Sequence, residues 1–221
     1  MNFSELGLSP KVLEAITAAG YTTPTTIQAE AIPHALQRKD VLGLAQTGSG
    51  KTAAFVLPML TLLEKGRAKA RMPRTLILEP TRELAAQVHE AFETLGKQHK
   101  LTVALLIGGV AFEPQAAKIN RGADVVIATP GRLLDHMERG GLLLTGIEML
   151  VIDEATGCWT WASFRILKKS ANFCPLRGRR CFSRPPCRRK STGSQRSFCT
   201  TRFALKPVRQ VPRRRALNSA W

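Results

Sequence analysis

Five short apolar runs, the first four each trailed by residues at helical spacing, restrict this chain more than any other feature. The runs are 41 to 45 (Val-Leu-Gly-Leu-Ala), 75 to 79 (Thr-Leu-Ile-Leu-Glu), 102 to 107, 124 to 128 and 148 to 152. Short apolar strands alternating with amphipathic helices fit a parallel sheet with crossover helices. Because both sets of alternating side chains are apolar, each strand is expected to be covered on two faces. The first helix opens with Ser9 as N-cap and Pro10 at its first position, repeats Val12, Leu13 and Ile16, and stops at Gly20. A second opens at Thr25, and others are expected over 51 to 64, 82 to 98, 111 to 120 and 131 to 138. The predicted fold class is α/β, a parallel sheet with helices on both faces, with no internal repeat or low-complexity linker before residue 156.

Between the first strand and the helix at 51 lies Ala45-Gln46-Thr47-Gly48-Ser49-Gly50-Lys51-Thr52. A glycine-rich strand-to-helix turn lets backbone N–H groups curl around an anion, Lys51 reaches outer phosphates, and Thr52 can hold Mg²⁺. The usual first glycine is Ala45 here. An ordinary Gly-rich turn is the plain alternative, which the Gly-Lys-Thr ending and the flanking elements disfavour. The strand Met149-Leu150-Val151-Ile152 ends in Asp153-Glu154. Two carboxylates at the C-terminal end of a buried strand suit metal holding by Asp153 and activation of an attacking water by Glu154. Alone, such a pair is more often a helix-capping turn.

Other motifs fall in a matching order. Gly20-Tyr21 and Pro24-Thr25-Thr26-Ile27-Gln28 precede the loop, and Pro80-Thr81-Arg82-Glu83-Leu84-Ala85, Gly108-Gly109 and Thr129-Pro130-Gly131-Arg132 each follow a predicted strand. With these, residues 3 to 155, about 70% of the chain, resemble the first RecA-like domain of a DEAD-box RNA helicase, closest to the bacterial RhlE-like group.

The resemblance implies a Q motif at 20 to 28, a phosphate loop at 45 to 52, RNA-contact motifs at 80 to 85 and 129 to 132, and a Walker B strand at 149 to 155. It assigns Gln28 to the adenine edge and makes Phe3 and Tyr21 candidate stackers on the ring. A Gln amide can pair bidentately with adenine N6 and N7, which favours ATP over GTP. Thr25 and Gln28 also read as a capping box, and both roles are compatible. Thr26 stands where the family has a second proline. Pro80, Thr81, Arg82, Gly108, Gly109, Thr129, Pro130, Gly131 and Arg132 are then expected to grip the RNA backbone without reading bases. For Arg82 or Arg132 taken singly, a surface salt bridge is the alternative. His34, His89, His99 and His136 show no metal-ligand spacing, read as surface or helix residues, and receive no role.

The family pattern requires Asp-Glu-Ala-Asp, but this chain reads Asp153-Glu154-Ala155-Thr156 and then loses every family feature. Composition breaks at the same place. Residues 1 to 155 hold 16 basic and all 16 acidic residues, whereas 156 to 221 hold 17 basic residues, no acid, all five Cys and all three Trp. Ordinary usage places about eight acids in a segment of that length. A shifted reading frame accounts for both observations. Residues 156 to 164 can be written ACC GGA TGC TGG ACA TGG GCT TCA TTC; one G restored after the Ala155 codon gives GAC CGG ATG CTG GAC ATG GGC TTC ATT. That reads Asp-Arg-Met-Leu-Asp-Met-Gly-Phe-Ile, the family's own continuation. The same frame under 177 to 186 hides Arg-Gln-Thr-Leu-Leu-Phe-Ser-Ala-Thr, which contains the family's next motif. A frameshift, natural or from a sequencing error, is therefore expected.

Read as it stands, the segment 156 to 221 is expected to be a disordered basic coil, because it shows no apolar periodicity to offset ordering entropy. Arg179-Arg180, Arg188-Arg189-Lys190 and Arg213-Arg214-Arg215 could bind RNA phosphates non-specifically at a net charge of +17. Cys158, Cys174, Cys181, Cys187 and Cys199 contain no C-x-x-C pair and are odd in number, which disfavours zinc. No apolar run reaches the roughly 18 residues of a membrane span and the N-terminus lacks signal-peptide character, so a cytoplasmic protein is expected.

The functional expectation is the ATP·Mg²⁺-binding and RNA-backbone-binding part of an ATP-dependent RNA helicase, an ATP hydrolase by resemblance. By the same resemblance, arginines of a second RecA-like domain stabilise the transition state, so this truncated chain is not expected to unwind RNA by itself. The alternatives are a non-enzymatic basic RNA-binding protein and a non-functional frameshift product. Loss of the in-frame Ser-Ala-Thr strand is further expected to leave a sheet edge bare.

Overall fold

A computed structural model describes residues 2–46, 48–153 and the backbone of 201–207. Thr47, Glu154 and the tail's Cys and Arg clusters lie outside the described residues. After a 3-10 turn at Phe3–Leu6, the chain runs α1 (Pro10–Ala18), α2 (Thr26–Leu36), β1 (Val41–Ala45), α3 (Lys51–Leu63), β2 (Thr75–Leu78) and α4 (Arg82–Leu95). It continues through β3 (Val103–Leu106), α5 (Phe112–Gly122), β4 (Val125–Ala128), α6 (Pro130–Glu138), β5 (Met149–Ile152) and β6 (Thr201–Pro207).

All five expected strands and all six expected helices form, with ends moved by a few residues. The largest shift is at the end of α4, where the backbone N–H of Gly96 closes the helix on the Phe92 carbonyl. Ser9 caps α1 by accepting from the Val12 amide at 3.4 Å, and Pro10 occupies the first turn.

The sheet order is β1-β6-β5-β2-β4-β3. Strand β2 is parallel to both β4 and β5, and β3 is parallel to β4. Strand β6 is antiparallel to β1 and to β5, which leaves β1 running the same way as the other four. Of the segment 156 to 221 only Thr201–Pro207 is described, and it forms a strand in the gap between β1 and β5, where a sheet edge is expected to be bare. The physical reason is the ladder itself: β1 and β5 both face that gap, and a strand pairing Val41 with Leu205 and Leu150 with Lys206 satisfies backbone groups on each.

Alternation in the strands divides the core. Ile77, Val125, Ile127 and Val151 point toward α1 to α4, joining Phe55, Leu57, Val88 and Phe92. Leu76, Leu78, Val126 and Ala128 point the other way, toward Ile119 of α5 and Leu133 of α6. Both faces are covered, as two-sided apolar strands require. Helix α3 is buried almost all round, from Ala53 through Leu60. A helix apolar on every side belongs in the interior.

The N-terminal ends of the strands are tied by polar groups. The Asp124 carboxylate accepts from the Ala68 and Thr102 amides at 3.0 and 3.1 Å. Arg74 donates to Glu148 at 3.1 Å and to the Leu63 carbonyl at 3.2 Å. Both Asp124 and Arg74 are buried and hydrogen-bonded, so neither is left with an uncompensated charge.

Candidate nucleotide and RNA-backbone site

Because β1 to β5 all run one way, the residues that follow them gather on one edge of the sheet. There lie the loop 46 to 50 after β1, Glu79 to Arg82 after β2, Ile107 to Val110 after β3, Thr129 after β4 and Asp153 after β5. Ligand sites of open α/β sheets occur at this C-terminal edge.

The loop glycines carry the conformation the turn needs. Gly50 has φ +84°, which L side chains avoid, and a Cβ there would collide with the Gln28 amide. From this turn α3 starts at Lys51, leaving its first amides without intrahelical acceptors. Ser49 Oγ is buried within the loop and has no hydrogen-bond partner. Lys51 is buried, and its Nζ donates back to the Ala45 carbonyl at 3.2 Å. Gln46 and Gly48 are exposed, and Thr52 is half-buried one residue into the helix. Asp153 is 7% exposed, and its backbone N–H extends the β5 to β2 ladder by donating to Leu78 at 3.1 Å.

Upstream, Thr25 is the N-cap of α2 and its backbone N–H donates to Gln28 Oε1 at 3.0 Å. The other end of the Gln28 amide, Nε2, donates to the Gly50 carbonyl at 3.0 Å. The capping reading of Gln28 thus holds. A side-chain amide has two N–H donors and two oxygen lone pairs, so one of each remains. Of the two candidate stackers, Tyr21 is 46% exposed while Phe3 is 6% exposed and packed in the main core. Phe3 is therefore corrected to a core residue; it opens a 3-10 turn whose other apolar residue, Leu6, is also buried.

The three expected RNA-contact stretches meet on the same edge. Thr81 caps α4 by accepting from the Leu84 amide at 3.3 Å. Arg82 lies against Gly108 and Gly109, and a Cβ at Gly109, where φ is +79°, would strike its guanidinium. Pro80, Thr81, Arg82, Gly109 and Gly131 are exposed, and Gly131 has open space around its α-carbon. Thr129 is the N-cap of α6 with Pro130 at the first helical position.

Arg132 departs from the expectation of an outward grip. Its side chain is 14% exposed, its Nε donates to Gln115 Oε1 at 3.1 Å, and its Nη2 donates to the Val110 carbonyl. His136, read as a surface or helix residue, lies in α6 and is fully buried, with its ring stacked on Phe112 at 4.0 Å between centroids. Burial first, then the nearby Arg132 and Arg139 charges, push its pKa down to about 4 against a smaller opposing effect of Asp135. His99 is likewise corrected: its side chain is 2% exposed and bonds Glu64 at 3.0 Å.

Gln115 and Phe112 were not read from the sequence as functional. The available signal was spacing: Phe112, Gln115 and Ile119 share one helix face, which places a polar residue where an apolar one belongs. Among the described residues no cluster of three or more His, Cys, Asp or Glu could hold a metal, and no helix is long and apolar enough to cross a membrane.

A parallel sheet whose first strand turns through left-handed glycines into a buried helix defines the phosphate-loop class of α/β proteins. The sequence profile of the DEAD/DEAH box helicase family matches residues 25–183, so the chain belongs to that family. It is 49% identical over 154 residues to the ATP-dependent RNA helicase DeaD of Klebsiella pneumoniae, an alignment covering 69% of this chain and 24% of that protein. It is 48% identical to the ATP-dependent RNA helicase SrmB of Haemophilus influenzae, covering 69% of this chain and 35% of that one. The crystal structure of a DEAD box protein from the hyperthermophile Methanococcus jannaschii superposes with a TM-score of 0.69 and 38% identity, over 79% of this chain and 47% of that chain. The fold is RecA-like, and the chain spans about a quarter to a third of the length of these curated relatives.

Proposed function

We propose that residues 1–155 are the ATP-binding and RNA-backbone-binding part of an ATP-dependent RNA helicase, and that the 221 residues alone do not unwind RNA. One observation carries the nucleotide half: a loop whose glycines hold left-handed φ, next to open helix-start amides, encloses a Ser49 hydroxyl with no partner among the described residues. A phosphate oxygen supplies the acceptor that such a cradle lacks. Gly48, Ser49, Gly50 and Lys51, with Gln46 and Thr47, then hold phosphates, while Gln28 and the exposed Tyr21 face the adenine.

Thr52 and Asp153 suit Mg²⁺, which takes few protein ligands beside phosphates and water. Glu154 is assigned to orient the attacking water. Thr81, Arg82, Gly108, Gly109, Thr129 and Gly131 supply hydroxyl, amide and guanidinium donors along one edge, with Pro80 and Pro130 shaping the turns beside them, as backbone contact requires. Hydrolysis at a useful rate needs transition-state arginines, worth roughly 10³ to 10⁵ in related phosphoryl-transfer systems, and the resemblance locates these in a second domain.

The frameshift after Ala155, the RhlE-like subgroup, the domain limits 1–155 and 156–221 and a cytoplasmic location belong to the same proposal. The break is supported by the absence of any acidic residue after Glu154. Resequencing across the Ala155 codon tests it: a single extra G restores Asp-Arg-Met-Leu-Asp and marks a sequencing error, an unchanged read whose shifted frame still spells Asp-Arg-Met-Leu-Asp marks a natural frameshift, and codons whose shifted frame does not spell it remove the frameshift from the account. Calorimetry tests the nucleotide reading: ATP with Mg²⁺ should release heat on titration into the chain mended at that codon, and a flat titration would overturn it.

A further inference from the structure

Three parts of the molecule carry polar machinery outside the nucleotide loop. Glu64 is held below its ordinary pKa although burial opposes this, because Ser9 and His99 both hydrogen-bond to it. That cluster joins the start of α1 and the end of α3 to the turn after α4, so it reads as a fastening. Asp124 and Arg74 fasten the opposite end of the sheet. The third part, around Gln115, lies between two stretches that bear on RNA.

Gln115 projects from the first turns of α5 and is 6% exposed. Its Nε2 donates to the Ile107 carbonyl at 3.1 Å, at the entrance to the Gly108-Gly109 turn. Its Oε1 accepts from Arg132 Nε at 3.1 Å, on the first turn of α6. Arg132 in turn reaches the Val110 carbonyl, at the exit of the same turn. The glycine turn is therefore held at both ends by one amide and one guanidinium, and both lead to the helix capped by Thr129.

The surroundings fix which way this device can be set. His136 Nε2 is 3.4 Å from Gln115 Oε1, while its Nδ1 is buried and unpartnered. A ring that shares Oε1 with the Arg132 N–H must itself bring a hydrogen at Nε2, which leaves Nδ1 as a bare lone pair and the imidazole neutral. Phe112 stacks on that ring and lies 5.1 and 4.3 Å from the guanidinium carbons of Arg132 and Arg139. A neutral ring between two arginines adds no third positive charge, and the aromatic face attracts both cations.

We infer that Gln115 is a positioning residue for RNA-backbone binding, fixing the spacing between the Gly108-Gly109 turn and the N-terminus of α6 through Ile107 and Arg132. Successive phosphates along a strand are set at a fixed separation, so two contact points grip well only if their own spacing is held. Arg132 then serves by bracing the turn, which accounts for its inward orientation. The inference rests on the RNA-backbone reading above and names the residue that organises it.

The test uses the full 221-residue chain and a fluorescently labelled ten-nucleotide uridine oligomer, with affinity read by anisotropy. Titrations are run in enough salt to suppress counterion-release binding by the basic tail. Gln115→Leu removes both hydrogen bonds, and Gln115→Glu keeps the acceptor for Arg132 while losing the donor to Ile107. RNA affinity should fall at least about fivefold in Gln115→Leu with adenine-nucleotide affinity within about twofold of the parent. Gln115→Leu/Arg132→Ala should bind no more weakly than Arg132→Ala alone, since coupled residues are not additive. If Gln115→Leu does not fold, Gln115→Glu must show the same selective loss of RNA affinity. Unchanged RNA affinity in the variant that folds, an equal loss of nucleotide affinity, or simple additivity overturns the inference. Arg82→Ala separates the two levels: a parent that binds the oligomer no better than Arg82→Ala sinks the RNA reading itself. Loss in Arg82→Ala without loss at Gln115 sinks only the inference.

Discussion

Gln28 Nε2 donates to the Gly50 carbonyl oxygen at 3.0 Å, so the amide that caps α2 also fixes the last glycine of the loop after β1. The side chain is 3% exposed, and Gly50 could not carry a Cβ beside it. Helix start and loop are one structural unit.

Gln28→Ala should therefore act twice. Losing the acceptor for the Thr25 amide is expected to cost about 1 kcal/mol of stability, readable in thermal unfolding. Any preference of the mended chain for ATP over GTP should shrink at the same time. Calorimetry with both nucleotides checks this, and an unaltered ratio in the variant would remove Gln28 from adenine reading.

Lys51 is buried with its ammonium on the Ala45 carbonyl. Desolvating a charge for one neutral partner is poor value in stability. Lys51→Met is expected to unfold at the same temperature as the parent or higher. It should also lose the rise in unfolding temperature that ATP with Mg²⁺ gives the parent, because ligand binding to the native state is what raises it. A ligand-induced rise as large as the parent's would contradict the phosphate role.

At Gly109, with φ +79° and Arg82 packed over the α-carbon, any side chain is strained and obstructs the guanidinium. Gly109→Ala should cost about 1 to 2 kcal/mol of stability and weaken the uridine oligomer while leaving nucleotide affinity unchanged. Equal RNA binding by parent and variant would show that the turn makes no contact.

His136 has a native pKa of about 4, below the ordinary value near 6.5. The unfolded chain then takes up the proton first, so stability is complete above about pH 6.5 and declines as the pH falls toward 4. The full loss is on the order of 3 kcal/mol. Denaturant melts between pH 7 and pH 4 should show a shallower decline in His136→Leu than in the parent. Parallel curves would mean that other groups carry the acid sensitivity.

The Asp124 carboxylate accepts from two backbone amides, those of Ala68 and Thr102. Asp124→Ala is expected to lose about 1 to 3 kcal/mol, with ATP and RNA affinities of the folded fraction unchanged. A selective fall in either affinity would show that the two ends of the sheet communicate.

Much of this was legible in the chain because the first five strands are apolar on both faces and the first two helices open on caps that can be named, Ser9 and Thr25. Strand-to-helix glycines placed the loop, and the order of motifs placed the RNA edge. What stayed hidden depended on tertiary packing. Arg132 read as a surface grip because nothing local says that Val110 and Gln115 lie within its reach. The burial of His136 was hidden by its polar neighbours Asp135 and Glu138, although Leu133 marks the buried face beside it. Phe3 offered an aromatic ring upstream of the glutamine, and only the packed core shows that ring to be spent. Strand β6 could not be read at all, since its pairing depends on a gap between β1 and β5 rather than on its own residues.

The polar ties of Asp124, Arg74 and Glu148 sit at the opposite rim from every residue assigned to a ligand. Part of the fold's durability is thereby placed away from the ligand edge, and only where one residue serves both, as Gln28 and Gly109 do, does a mutation drag the two along together. A library randomised at Gly131, where nothing lies within reach of an added Cβ, would sample new contacts on a scaffold that keeps its shape, and a binding-dead variant there would still make a sound folding control.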